Sequence, residues 1–157
     1  MNFRNILVTT DFSPASEAAF DIAAYEAKNG GARVTLLAIV QDWVVPPELY
    51  SAIPYPERID EYRHTVRKDA QVRLSGMLEK FHDQTVKPVV LVSSRSVPQE
   101  IADYAHAEGV DLIVMASRGK GVFEHMFLGS VLEKLLSIAP CPVLVVPVTK
   151  EKKNNPE

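Results

Sequence analysis

The sequence predicts an α/β fold, a doubly wound five-stranded parallel sheet with helices on both faces. Five short apolar runs alternate along the chain with segments whose apolar residues recur at helical spacing, a pattern typical of parallel strands joined by helical crossovers. The length of 157 residues and the 46% of hydrophobic residues suit one globular domain with its own core. We expect this domain to span residues 1–148 and the polar residues 149–157 to form a C-terminal tail.

The first strand is predicted at Ile6–Val8, and the polar residues from Thr9 to Asp11 end it. A helix follows at Ser13-Pro14, because serine is favoured at the N-cap and proline at the first helical position. Asn29-Gly30-Gly31 ends this helix. Its apolar stripe consists of Ala15, Ala19, Ile22, Ala23 and Ala27.

The second strand, Val34–Val40, is nearly all apolar and is therefore predicted to be buried on both faces. The segment 41–58 that follows contains four prolines, which predict irregular structure. Its aromatic residues are Trp43, Tyr50 and Tyr55. Two interpretations of this segment stay open: a stiff surface loop, or a lid or partner-contact segment that overhangs the edge of the sheet.

The middle of the chain predicts a long amphipathic helix, a third strand and a further helix. The third strand is Val86–Val92. Ser96 to Gln99 resembles a capping box that starts the further helix, and Glu108-Gly109 ends it. The apolar stripe of the long helix consists of Ile59, Tyr62, Val66, Ala70, Leu74, Met77 and Phe81, and that of the further helix of Ile101, Tyr104 and Ala105.

The last part of the chain predicts a fourth strand at Leu112–Met115, a helix from Gly129-Ser130, and a fifth strand at Val143–Val146. Pro140-Cys141-Pro142 separates the helix from the fifth strand. The apolar residues of this helix are Val131, Leu132, Leu135 and Leu136. The fifth strand carries no charge and is expected at an edge of the sheet, so we expect it to meet its own copy in a homodimer.

The segment between the fourth strand and the last helix combines the features of an anion cradle. Gly119 and Gly121 let the backbone approach a ligand closely, and N–H groups at a helix start favour negative charge. The hydroxyl group of Ser130 can donate to a phosphate oxygen. A plain strand-to-helix loop with the glycines at left-handed turn positions is the alternative interpretation.

The predicted topology brings two polar segments together. For the common strand order 3-2-1-4-5, the order reverses between strands 1 and 4, and ligands bind beyond the carboxyl ends of the strands at such a point. Asp11 follows strand 1, and the residues from Met115 to Gly121 follow strand 4. We therefore expect the two segments to line one crevice.

A longer motif carries a family resemblance. Gly119, nine residues and then Gly129-Ser130 fit the pattern Gly, two residues, Gly, nine residues, Gly, Ser or Thr, with Ala116 in place of the first glycine. The opening Ile6-Leu-Val-Thr-Thr-Asp11-Phe-Ser13 and the closing Pro142-Val-Leu-Val-Val146 also fit. Over about residues 3–148, the chain resembles the universal stress protein family.

The resemblance implies an adenine nucleotide as the ligand, ATP or else ADP or AMP, with Mg²⁺ as an optional companion of its phosphates. The aspartate after strand 1 and the backbone at the end of strand 2 contact the adenosine in nucleotide-binding members, which implies Thr10, Asp11 and Val40 here. Arg118, with Lys120, would neutralise phosphate charge. The positions that match those holding ribose and phosphates are Met115, Ala116, Gly119, Gly129, Ser130 and Val131.

Two residues depart from the family pattern. Ala116 adds a methyl group where nucleotide-binding members have glycine. If the backbone there needs a positive φ, alanine costs about 1 kcal/mol or more; if the position needs only proximity to the ligand, the methyl group is tolerated. Ser96 stands where many members have glycine. Neither departure affects the predicted fold.

Bulk properties exclude several function classes. The net charge of −3 offers no broad basic surface for nucleic acid. No apolar run reaches the roughly 18 residues of a membrane helix, and the N-terminus leads straight into the first strand without room for a signal peptide. A single cysteine excludes an internal disulfide. Together these features favour a cytoplasmic protein.

Other chemical motifs are weak. The sequence contains no P-loop motif, and its histidines, His64, His82, His106 and His125, lack metal-ligand spacing. A phospho-acceptor receiver domain would need an aspartate after strand 3 and a lysine after strand 5. This chain has Ser93-Ser94 and Pro147-Val148 at those places.

Three functional hypotheses follow. The first is an adenine-nucleotide binding, regulatory protein of the stress response. The second is a dimeric interaction module of the same fold that binds no nucleotide and recruits a protein partner which the sequence does not identify. The third, weak ATP hydrolysis, is the least favoured, because no residue of the sequence stands out as a base for the attacking water. Ala116 favours the second hypothesis, whereas Asp11, Gly119 and Gly129-Ser130 favour the first.

Overall fold

The computed structural model describes residues 2–42, 47–50, 52, 54–55, 57–81, 85–118 and 128–148. Its strands form one parallel sheet in the order β3-β2-β1-β4-β5, which confirms the predicted fold class and strand order. The strand bounds are β1 Asn5–Thr10, β2 Arg33–Gln41, β3 Val86–Ser93, β4 Leu112–Ala116 and β5 Val143–Val146. The predicted tail, 149–157, and the predicted turn residues Gly119 and Gly121 lie outside the described residues.

Helices cover both faces of the sheet, as predicted. The helix bounds are α1 Ala18–Gly30, α2 Pro47–Tyr50, α3 Glu57–Met77, α4 Val97–Ala107 and α5 Ser130–Ile138. One core cluster joins the sheet to α1 and α3, and a second joins it to α4 and α5. The side chains of β1 alternate between these clusters, with Ile6 and Val8 in the first and Leu7 in the second. A central strand that is buried on both faces explains the unbroken apolar run of the sequence.

The start of the first helix differs from the prediction in two respects. Ser13 is the N-cap and accepts a hydrogen bond from the Ser16 N–H, as predicted, but the turn that it opens, Pro14–Glu17, is a 3₁₀ helix. Phe20, absent from the predicted stripe, is buried and stacks on Phe81, whereas the predicted Ile22 is exposed. A rotation of about 100° per residue places Ile22 beyond the edge of the buried face.

The proline-rich segment is not entirely irregular. Residues 47–50 form the single helical turn α2, and proline is tolerated at a first helical position. The prediction that four prolines deny this segment any regular structure is therefore wrong. Trp43 lies outside the described residues, and Tyr55 is exposed.

Only the second half of α3 packs on the sheet. The predicted stripe is buried at Ala70, Leu74, Met77 and Phe81, but Tyr62 is exposed. The Nε atom of Arg63 lies 2.7 Å from Oδ2 of Asp42, the residue that follows β2. The residues of α3 before Arg63 therefore extend past the carboxyl edge of the sheet, where no strand can cover them.

The capping box predicted at the start of α4 does not form. Ser96 occupies the N-cap position, but its side chain makes no capping hydrogen bond among the described residues. The second helical residue, Pro98, has no N–H, which removes one of the two donors that a capping serine serves. Ser93 instead donates to the carboxylate of Glu100 over 2.7 Å.

The described cysteine and histidines form no metal centre. No group of three or more His, Cys, Asp or Glu within the described ranges could hold an ion, and His82 and His125 lie outside those ranges. Cys141 is half-buried, and its desolvation, followed by the charge of Asp111, raises the pKa of its thiol. Among the described helices, none is long and apolar enough to cross a membrane.

Candidate functional site

A cavity of about 270 Å³ opens at the carboxyl edge of the sheet, where the strand order reverses between β1 and β4. It is lined by Thr9, Thr10, Asp11, Ser16, Leu37, Ile39, Val97, Ile101, Met115, Ala116, Ser117, Arg118, Gly129, Ser130, Val131 and Leu132. The segments after β1 and β4 and the start of α5 meet here. The predicted convergence of two polar segments on one crevice is therefore confirmed.

Two of the predicted binding residues are not among the described residues that line the cavity. Gly119 lies outside the described residues. Val40 is described but does not line the cavity, whereas Leu37 and Ile39 of the same strand do. Side chains alternate along a strand, so Val40 shares the opposite face with Leu36 and Ala38, which belong to the α1 and α3 cluster. A role for Val40 is thereby limited to its backbone.

The predicted residues that do line the cavity come from three elements. Thr10 ends β1 and Asp11 follows it, while Met115 and Ala116 end β4 and Arg118 follows that strand. The remaining three, Gly129, Ser130 and Val131, start α5.

Hydrogen bonds fold the chain after β1 into a tight turn. Oδ1 of Asp11 accepts from the Ser13 N–H over 2.9 Å and also from the Ser13 hydroxyl. Oγ1 of Thr10 accepts the Phe12 N–H over 3.0 Å and shares a 2.8 Å hydrogen bond with the Ser16 hydroxyl. Aspartate commonly closes such turns because its side chain accepts a hydrogen bond from the backbone N–H of the residue two positions later. These bonds fix the position of the Asp11 carboxylate at the cavity wall.

Ala116 does not need the backbone freedom of glycine. It lies within β4, pairs with Val146 and is buried. Of the described non-glycine residues, only Phe12 has a positive φ, at 64°. The methyl group of Ala116 therefore causes no backbone strain. Its one remaining effect on binding would be steric, through its proximity to a ligand.

The start of α5 faces the cavity with free donors. The Gly129 N–H donates to the Ser117 carbonyl over 2.9 Å and is therefore occupied, and the Gly129 carbonyl accepts the first helical bond, from Glu133. Within the described part of the chain, no hydrogen bond takes up the N–H groups of Ser130, Val131 and Leu132. These three groups, rather than that of Gly129, are the donors that can face an anion.

An apolar wall completes the cavity, and sequence reasoning missed it. It consists of Leu37 and Ile39 from β2 with Val97 and Ile101 from α4. Two signals could have revealed this wall. Alternate residues of β2 share one face of the sheet, and α4 starts beyond the carboxyl end of β3, which is the edge where ligands bind. The other lining residues that were missed as site residues are Thr9, Ser16, Ser117 and Leu132.

The loop before α4 is held by charged groups. Arg95 lies 2.6 Å from Asp103 and 3.4 Å from Glu100. The hydrogen bond from Gln99, followed by that from Arg95, lowers the pKa of the Asp103 carboxyl. These contacts anchor the first turn of α4, which carries Val97 to the cavity.

Comparison with known proteins gives a consistent result. The sequence model of the universal stress protein family matches residues 2–147. The universal stress protein YxiE of Bacillus subtilis is 35% identical over 146 residues, which cover 92% of this chain and 99% of that protein. The solved structure of the hypothetical protein MJ0577 has a TM-score of 0.78 at 28% identity and covers 96% of this chain and 100% of its own.

More distant structures share the fold and hold nucleotides. A universal stress protein in complex with cAMP has a TM-score of 0.59 at 17% identity, over 95% of this chain and 100% of its own. One from Archaeoglobus fulgidus in complex with dAMP has a TM-score of 0.60 at 19% identity, over 93% and 99% of the two chains. A family protein from Arabidopsis thaliana with AMP bound has a TM-score of 0.60 at 15% identity, over 93% and 92%.

Proposed function

Because this chain belongs to the universal stress protein family, we propose that its cavity binds an adenine nucleotide and that the protein acts in the cytoplasm as a regulator of the stress response. ATP is the first candidate, and ADP and AMP are the others. The structures of this fold that hold cAMP, dAMP or AMP support the class of ligand.

One observation carries the proposal: an acceptor, an apolar wall and free backbone donors meet in a single cavity. The wall of Leu37, Ile39, Val97 and Ile101 suits the faces of a purine. The carboxylate of Asp11 suits a hydroxyl or amino donor of the adenosine. The N–H groups at the start of α5 and the guanidinium of Arg118 suit phosphate oxygens.

The chain offers little to a metal ion by itself. Asp11 is the one carboxylate among the described residues that line the cavity, and Mg²⁺ prefers several oxygen ligands. A Mg²⁺ ion at this site would therefore be held mainly by the phosphates of the nucleotide.

The site is built for binding more than for turnover. Oδ1 of Asp11 already accepts two hydrogen bonds from Ser13, which hold the carboxylate in place as a hydrogen-bond acceptor. A base that activates water needs freedom to take a proton in the transition state. We infer that any hydrolysis of ATP is slow and secondary to binding.

A second candidate function is a dimeric module that recruits a protein partner. Its support is the edge strand β5, which carries no charge and is half-buried, together with the exposed Leu136 and Ile138 of the neighbouring α5. An uncharged edge strand with apolar neighbours is suited to association. Nucleotide binding and dimerisation are compatible, so this candidate replaces the first only if the cavity takes no nucleotide.

The test is to purify the protein, denature it and separate any released small molecule by chromatography with absorbance detection. Protein stripped of ligand is then titrated with ATP, ADP and AMP by calorimetry. The proposal predicts saturable binding of one nucleotide per chain by at least one of the three. Failure of all three to bind would remove the nucleotide function and leave the interaction module.

A further inference from the structure

Helix α3 contacts the turn that carries Asp11 from outside the cavity. The guanidinium carbon of Arg73 lies 4.4 Å from the centroid of the Phe12 ring. Sδ of Met77 lies 3.9 Å from Oγ1 of Thr10. Lys80, in the 3₁₀ turn Leu78–Phe81 that continues α3, forms an ion pair with Glu17 at the end of the first 3₁₀ turn. Arg73 and Lys80 are exposed and do not line the cavity. The helix thus braces the residues on both sides of Asp11.

Phe12, on whose ring the Arg73 guanidinium stacks, has an unfavourable backbone conformation. Phe12 adopts a φ of 64°, in the left-handed region. An L-residue with a bulky side chain is strained there because its Cβ atom crowds the following carbonyl oxygen. Such a conformation persists only where the surroundings enforce it. The Thr10 hydroxyl holds the Phe12 N–H, and the half-buried Phe12 ring packs against the first core cluster.

The conformation of Phe12 determines where the Asp11 carboxylate is held. Phe12 stands between Asp11 and Ser13, and the left-handed turn brings the Ser13 N–H and hydroxyl back to Oδ1 of Asp11. If Phe12 relaxed to a negative φ, both hydrogen bonds would be lost, and Ser13 would no longer hold the carboxylate in this position. The guanidinium on the solvent side of the ring opposes this relaxation, because a cation stacked on an aromatic face holds the ring in place.

We propose that Arg73 is a positioning residue for nucleotide binding: it stacks on Phe12 from outside the cavity and so keeps the Asp11 turn in its left-handed conformation. The consequence for affinity rests on the proposed function, in which Asp11 contacts the nucleotide. The effect on the turn itself does not, and it exists in the unliganded protein.

The first arm of the test measures the turn without nucleotide. Amide hydrogen exchange, followed by NMR, is compared for the wild type, Arg73→Ala and Arg73→Lys. Arg67→Ala is the matched control, because Arg67 is an exposed arginine of the same helix with no ion pair or ring contact among the described residues. We expect faster exchange of the Phe12 and Ser13 amides in Arg73→Ala alone, with the Leu74 amide unchanged. Equal exchange in all four proteins would overturn the proposal.

The second arm measures affinity for ATP by calorimetry. Arg73→Ala should bind ATP about two- to fivefold more weakly, the range of an exposed cation–π contact. Arg73→Lys and Arg67→Ala should bind like the wild type. In a Phe12→Gly background the turn needs no enforcement, since glycine adopts a positive φ freely, so Arg73→Ala should then have no effect. If Arg73→Ala weakened ATP binding as much in the Phe12→Gly background as in the wild type, Arg73 would act through its charge, and the proposal would be overturned.

The two arms separate the possible failures. If the wild type binds no adenine nucleotide, the proposed function fails, and the exchange of the Phe12 and Ser13 amides alone decides whether Arg73 positions the turn. If the wild type binds ATP and Arg73→Ala matches it in both arms, the positioning role fails and the proposed function stands.

Discussion

The N–H of Gly129 donates a hydrogen bond to the carbonyl oxygen of Ser117 over 2.9 Å. This bond ties the start of α5 to the end of β4, and it aims the next three N–H groups at the cavity between β1 and β4. The glycine at position 129 therefore orients the donors and is not one of them.

Replacement of Gly129 by valine tests the space beside those donors. Gly129 has φ −70° and ψ 149°, an extended conformation that any residue adopts. We therefore expect Gly129→Val to keep the thermal melt of the unliganded protein broadly unchanged while it abolishes nucleotide binding by steric exclusion. Gly129→Ala is the graded control and should bind more weakly than the wild type. Wild-type affinity in Gly129→Val would contradict a ligand at this helix start.

The methyl group of Ala116 is tested by Ala116→Gly. Because Ala116 has no positive φ, the substitution relieves no strain and should destabilise β4 by about 0.5–1 kcal/mol, the usual cost of glycine in a strand. Chemical denaturation measures this loss. Binding of ATP should be preserved or improved, since the cavity gains room. If Ala116→Gly binds and the wild type does not, the methyl group has closed the site and the interaction module is the better account.

The edge strand β5 predicts a homodimer about a two-fold axis. Leu144 and Val146 pack against the first core cluster, whereas Val145 belongs to neither cluster. We expect Val145→Lys to weaken the dimer with little loss of monomer stability, because it places a charge on the edge without opening the core. Val72→Lys, the same change at an exposed position of α3, is the control. A wild type that sediments as a monomer at micromolar concentration would rule out this dimer.

The contacts of Asp103 predict a small dependence of stability on pH. The pKa of this carboxyl is lowered by Gln99 and then Arg95, so its contribution is present above its unfolded pKa of about 3.9. The contribution is lost as pH falls through the folded pKa. Asp103→Asn should therefore lower the Tm at pH 7 relative to the wild type and have less effect near pH 3. A Tm difference that is the same at both pH values would contradict this linkage.

The strands and their order were predictable because their signals are local. Apolar runs such as Val143–Val146, bounded by proline or glycine, fix the strands within a residue or two, and the common topology of such sheets supplied the order. Asp11 and Ser130 were found as parts of a motif. These features need no knowledge of which face a residue occupies.

Features that depend on contacts across the chain were not predictable. Leu37 and Ile39 were missed because β2 is apolar on both faces, and only the packing of the crossover helices decides which of the two faces lines the cavity. Phe20 was missed because the buried face of α1 extends from Ala19, Ala23 and Ala27 toward Phe20 and not toward Ile22, and the partner that decides this side, Phe81, is distant in sequence. The stacking of Arg73 on Phe12 joins residues that are far apart in sequence, and no local pattern marks it.

The most direct test of the proposed function compares ATP binding by the wild type and by Asp11→Ala, measured by calorimetry at equal salt. Asp11→Asn is the control, because it keeps one acceptor at the same place. We predict saturable binding by the wild type and a loss of about 1.5–3 kcal/mol in Asp11→Ala, as expected for a hydrogen bond to a charged group, with the fold intact by circular dichroism. Equal affinity of the two proteins, or no binding of any adenine nucleotide by the wild type, would contradict the account.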